Sequence, residues 1–78
     1  MDNIHENDLV VLLIDKPDRG LYRGDVGTVV QVFESTLNHP AALIIEFVNE
    51  NGNVCAETDI TDRAQIVKLR LKLDLEAA

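Results

Sequence analysis

Apolar positions fall in short blocks along this chain, and each block ends at residues that turn the backbone. Leu9-Val10-Val11-Leu12-Leu13-Ile14 is a continuous apolar run of strand length. Its branched side chains predict a first strand covered on both faces. Asp15-Lys16-Pro17-Asp18-Arg19-Gly20 stops it, because proline fixes φ and removes a donor while glycine permits positive φ. Leu21-Tyr22-Arg23 then leads into Gly24-Asp25-Val26-Gly27. Glycines at that spacing around an aspartate predict a tight turn or bulge, with Gly20, Gly24, Asp25 and Gly27 as its structural residues. Thr28-Val29-Val30-Gln31-Val32-Phe33 follows, and its branched residues make it the strongest strand signal in the chain.

Glu34 to Pro40 reads as a second loop, and Ala41 to Val48 as the third strand. Asn49-Glu50-Asn51-Gly52-Asn53 is a hairpin connection, since Asn-Gly tolerates positive φ. The fourth strand runs from Val54 to about Thr58. Asp59 to Gln65 predicts a single helical turn with Thr61 or Asp62 as its N-cap. Ile66 to Leu69 resumes as the fifth strand. At the start, Met1 to Asn7 is polar and lacks a period apart from Ile4, so residues 1–7 read as a flexible arm that becomes ordered near Asp8. The pattern as a whole predicts an all-β chain, a small and strongly bent barrel over residues 8–70.

Residues 71–78 differ from the rest. Leu69, Leu71, Leu73 and Leu75 alternate with Lys68, Arg70, Lys72, Asp74 and Glu76, a period of two that puts leucines on one face of a strand and charges on the other. Three readings stand: a final strand that closes the barrel, an interface strand carrying Leu71, Leu73 and Leu75 to another chain, or a disordered end.

Composition narrows the function more than it identifies it. The chain has 78 residues, room for one domain. Seven basic side chains face fourteen acidic ones, and the net charge of −7 argues against a partner held through phosphates. Tyr22, Phe33 and Phe47 are the only aromatics, so the core must be valine, isoleucine and leucine. One cysteine excludes an internal disulfide framework and a multi-cysteine zinc site. No apolar run approaches the ~20 residues that span a bilayer, and the first residues carry no export pattern, so the expected compartment is the cytoplasm.

One stretch carries a resemblance. Leu21-x-Arg23-Gly24-Asp25-Val26-Gly27-Thr28-Val29-Val30, followed by Ile45-Glu46-Phe47-Val48 and Asn51-Gly52, resembles a family of small bacterial proteins, domain of unknown function 4926. The resemblance runs roughly from Asp8 to Leu69. Its Gly-Asp-Val-Gly-Thr-Val segment is also similar to the KOW-type turn of SH3-like barrels in translation and transcription proteins. It implies a small SH3-like barrel of five to six strands with one short helical turn, and it implies no chemistry. The chain departs from the pattern in the Glu34–Pro40 loop and the leucine tail.

The candidate chemistry is thin. Gly24 to Gly27 could cradle an anion, but it lacks the Lys-Ser/Thr of a phosphate loop and no helical pattern follows it, which favours a plain strand-entry turn. Lys16, Arg19, Tyr22 and Arg23 are the possible nucleic-acid contacts, and Asp15, Asp18 and Asp25 in the same stretch cancel their charge. Cys55, between Val54 and Ala56, reads as a small buried hydrophobe rather than a nucleophile. His5 and His39 have no ligand-like partners in the sequence beyond scattered acids. The pairs Asp59 with Asp62 and Glu46 with Glu57 read as solvated strand exteriors. The expectation is therefore a non-catalytic interaction module with no metal and no cofactor. Its partner would be another protein, a second copy of itself among them, and its acidic surface would favour basic partners. The alternative is a KOW-like nucleic-acid module using the Lys16–Arg23 loop.

Overall fold

A computed structural model describes residues 4–69. The described chain is all-β, with strands β1 (Leu9–Leu12), β2 (Val26–Phe33), β3 (Ala42–Val48), β4 (Val54–Ile60) and β5 (Ile66–Lys68). All pairings are antiparallel and form one sheet in the order β4-β3-β2-β1-β5. β5 crosses back to pair with β1, so the last strand forms the sheet edge opposite β4.

Two one-extra-residue bulges bend the sheet. Val29 opposes Ile45 and Gln31 opposes Ile44, so Val30 is surplus in β2. Phe47 opposes Ala56 and Val48 opposes Val54, so Cys55 is surplus in β4. A surplus residue raises the local twist and turns the strand, which curls a sheet around a small core. Val10 and Leu12 of β1, Val29 of β2, Leu43 and Ile45 of β3, and Ile60 of β4 fill that core and are almost completely shielded from water. Leu21, Phe47 and Ile66 complete it.

The connection from β1 to β2 closes the open side. A 3-10 turn over Pro17–Arg19 forms where the sequence predicts only a loop, and Gly20 ends it at φ +69 with its N–H on the Pro17 carbonyl, 3.1 Å away. Lys16 Nζ donates to Thr58 Oγ1 at 3.3 Å, and Arg19 Nη1 donates to the Glu57 carbonyl at 3.2 Å, tying this turn to β4. The predicted helical turn before β5 is a second 3-10 turn, Arg63–Gln65, and Asp62 rather than Thr61 caps it by accepting from the Ala64 N–H at 3.0 Å.

Several expectations need correction. The first strand is covered on one face only: Val10 and Leu12 point inward, while Leu9 is exposed and Val11 half-buried. A sheet of this size wraps one interior, and no second layer exists among the described residues to cover the other side. Order also begins before Asp8. Ile4 is 6% exposed and belongs to the core. The Asn7 N–H donates to the Val29 carbonyl at 2.7 Å, and the Val29 N–H returns to the Asp8 carbonyl at 2.9 Å. The arm from residue 4 is thus stitched to β2, because one apolar side chain in a polar stretch suffices to anchor it. Gly27 does not belong to the turn. It lies buried inside β2, and a Cβ built on it would sit 2.6 Å from Ile45 Cγ2 and 2.9 Å from Phe47 Cε1. Only Gly24, at φ +98, supplies unusual backbone angles in that motif. The fourth strand continues to Ile60, because Ile60 pairs with Leu43 and closes the core.

Candidate interaction surface

The Gly24 corner is held by its own carboxylates. Asp25 Oδ2 accepts from the Tyr22 N–H at 2.8 Å, and Asp15 Oδ1 accepts from the Arg23 N–H at 2.9 Å. The Gly24 N–H donates to the Leu12 carbonyl at 2.7 Å. Amides that an anion would require already have internal acceptors, as in an ordinary Asx-stabilised turn. The loop's cations are also divided. Lys16 and Arg19 reach β4, while Arg23 and Tyr22 face solvent. Of the four candidate nucleic-acid contacts, Arg19, Tyr22 and Arg23 remain exposed and Lys16 is half-buried.

Cys55 is exposed, which corrects the expectation of a buried hydrophobe. It lies on the outward side of β4 with Glu57 and Asp59, and Sγ contacts the Phe47 carbonyl at 3.5 Å. It borders a depression of about 180 Å³ shared with Gly20, Leu21, Asp25, Val26, Phe47 and Val48. His5 borders a separate open hollow of about 470 Å³ with Ile4, Glu6, Val32, Glu34 and Arg63. His39 sits in the loop after β2, where Thr36 Oγ1 accepts from its backbone N–H at 3.2 Å. Among the described residues, no group of three or more His, Cys, Asp or Glu side chains could hold a metal ion.

The Asp8 carboxyl has a lowered pKa. The His5 backbone N–H, donating at 2.8 Å, holds it below its ordinary value near 3.8. Burial opposes this, and the Lys68 ammonium at 3.3 Å adds to the lowering. A carboxylate with a lowered folded pKa contributes stability above its unfolded value and loses it as pH falls through the folded one. Acid should therefore weaken the native chain below pH 3.8 partly through Asp8. Urea melts at neutral pH and near pH 3 check this: Asp8→Asn should narrow the difference between the two pH values, and an unchanged difference would remove Asp8 from the account.

The most distinctive surface is apolar and lies outside the barrel. Val67 of β5, Val11 of β1 and Val26 of β2 stand directly opposite one another across three adjacent strands. Val67 is 43% exposed and Val26 is 45% exposed. Leu9 joins them one outward position along β1, and the Leu69 N–H bonds its carbonyl at 2.9 Å. Val26 and Val48 border the same depression, and Val48 opposes Val54, so exposed valines continue toward β4. Sequence reading missed this row because a continuous apolar run looks the same whether its second face is covered or wet. The predicted interface residues Leu71, Leu73 and Leu75 lie outside the described residues.

The sequence profile of a domain of unknown function, DUF4926, matches residues 6–66. The chain belongs to this family. The match takes in every strand except the last two residues of β5, and so includes most of the outer valine row. No curated protein and no solved structure matches this DUF4926 chain. Among the described residues, no helix is long and apolar enough to cross a membrane.

Proposed function

We propose that this DUF4926 chain is a non-catalytic protein-interaction module that acts in the cytoplasm. The observation that carries the reading is the outward row Val67-Val11-Val26, with Leu9 beside it. Contiguous apolar side chains on a small domain's exterior are costly in water and mark contact surfaces. The net charge of −7 would hasten encounter with basic partners. Non-catalytic use is supported by the separation of the reactive groups: Cys55 is on β4, His5 leans on Asp8, and His39 is bonded within its own loop. A single cysteine outside any disulfide suits a reducing compartment.

A nucleic-acid reading has one specific support, the solvent-facing pair Tyr22 and Arg23 in the KOW-like loop. Two experiments decide between the readings. Products of neighbouring genes are passed over immobilised wild-type protein and over a Val26→Lys/Val67→Lys variant. Retention by the wild type and loss by the variant is the expected result. A labelled RNA shifted at about 150 mM salt, with binding lost as salt rises, would replace the protein reading with the nucleic-acid one.

A further inference from the structure

Taking the interaction reading as given, we infer that the outer valine face receives a basic protein segment, one that lays aliphatic side chains over the valines and lysine or arginine over carboxylates on the same face. The register lines these groups up. Leu9 of β1, Thr28 of β2, Glu46 of β3 and Glu57 of β4 stand opposite one another in one row across four strands. The row beside it holds Val67, Val11 and Val26. Asp59 is the next outward position after Glu57 on β4 and stands opposite Ile44. The outside of the sheet is thus apolar over β5, β1 and β2 and gains its carboxylates over β3 and β4.

Nothing on the described face neutralises these carboxylates. Lys68 is the only lysine or arginine in the five strands, and it alternates to the Ile66 side of β5, 3.3 Å from Asp8. Lys16 reaches β4 at the buried Thr58 hydroxyl, on the covered side, and Arg19 holds the Glu57 carbonyl oxygen rather than its carboxylate. Among the described residues, Glu46, Glu57 and Asp59 form no ion pair. Glu46 and Glu57 are also direct cross-strand neighbours, and like charges so placed work against the fold. A lysine or arginine supplied from outside and set between them turns that repulsion into attraction. The apolar half of the face adds contact beside it.

Other occupants match this face less well. A second copy laid face to face brings the same carboxylates and no base on its outward strand positions. Nucleic acid and anionic lipid present phosphates, which the carboxylates and the net charge of −7 repel. The dimensions suit a peptide segment. Leu9 and Glu57 are three strand spacings of about 4.8 Å apart, roughly 14 Å, and same-side residues of an extended segment recur about every 6.7 Å. A few residues therefore reach from the apolar end of the row to the acidic end.

The test presents the immobilised full chain with a phage-displayed library of random peptides about twelve residues long, roughly 40 Å when extended. Retained peptides should combine aliphatic residues with an excess of lysine and arginine over the starting library. The tightest of them is then titrated against the wild type and two variants. Glu46→Gln/Glu57→Gln keeps the shape of the face and removes its facing charges, and Val26→Lys/Val67→Lys spoils the apolar row. Each should weaken binding about tenfold or more. Raising salt from about 0.05 M to about 0.5 M should weaken the wild type by a similar factor and the glutamine variant much less. Thermal melts should place the glutamine variant at or above the wild type, because it loses a like-charge pair, so its weaker binding is not a failure to fold. A lower melt, a wild type that retains no peptide, retained peptides with no basic excess, or equal binding by the glutamine variant would each overturn the inference. So would a wild type that sediments at twice the chain mass and returns to single mass in Val26→Lys/Val67→Lys, which assigns the face to a second copy. Neutral peptides held by the valines alone would remove the basic partner and leave the interaction reading standing, so the two fail separately.

Discussion

Phe47→Ala should destabilise the protein by about 3–5 kcal/mol, the usual cost of removing a buried ring whose space cannot collapse. Phe47 is 3% exposed and is the only aromatic in the core. Its ring lies over Gly27, which has no side chain of its own to swing into the void. A domain of this length has roughly 4–12 kcal/mol of stability in total. The loss therefore consumes much of it, and at the lower end leaves the chain mostly unfolded at room temperature. Phe33→Ala is the control. Phe33 ends β2 and is 42% exposed, so its removal should cost less than about 1 kcal/mol. Urea denaturation of both variants checks the pair, and equal losses would show that the core is not centred where the burial places it.

Gly27→Ala should cost about 2–3 kcal/mol, at the high end for a single added methyl group. The new Cβ would meet Ile45 Cγ2 at 2.6 Å, Phe47 Cε1 at 2.9 Å and the Glu46 carbonyl oxygen at 3.0 Å. Two of these atoms belong to core side chains, and the third is backbone of the neighbouring strand. Relief requires β2 and β3 to separate where Thr28 pairs with Glu46 and Val29 with Ile45. Gly52→Ala makes the comparison informative. Gly52 has φ +81 but nothing within 4 Å of its added Cβ, so only the left-handed backbone penalty of about 1–2 kcal/mol applies. Thermal melts should rank Gly27→Ala as the more damaging, and the reverse order would refute the steric account.

The comparison of these two glycines shows where sequence reading stops. Asn51-Gly52 announces its turn because the need for positive φ is local, and a pattern of neighbours reveals it. Gly27 announced a turn as well, but its cause lies across the sheet on β3, eighteen and more positions away in the chain. Cys55 is similar: its apolar neighbours Val54 and Ala56 suggested burial, whereas the covered positions of β4 are Ala56, Thr58 and Ile60 and leave it outside. Lys16 and Arg19 looked like half of a basic loop until the loop met β4.

What the chain determined by itself was the set of strands, the corners between them and the capped helical turn before β5, because side-chain alternation, branched residues and permissive φ angles act over a few neighbouring positions. Tertiary structure alone decided which face of β1 stays dry, that Ile4 closes the core, and that Val11, Val26 and Val67 meet in one exposed row. Those outcomes depend on what stands opposite each residue, and in an antiparallel sheet the residue opposite is set by strand order and register rather than by sequence neighbours.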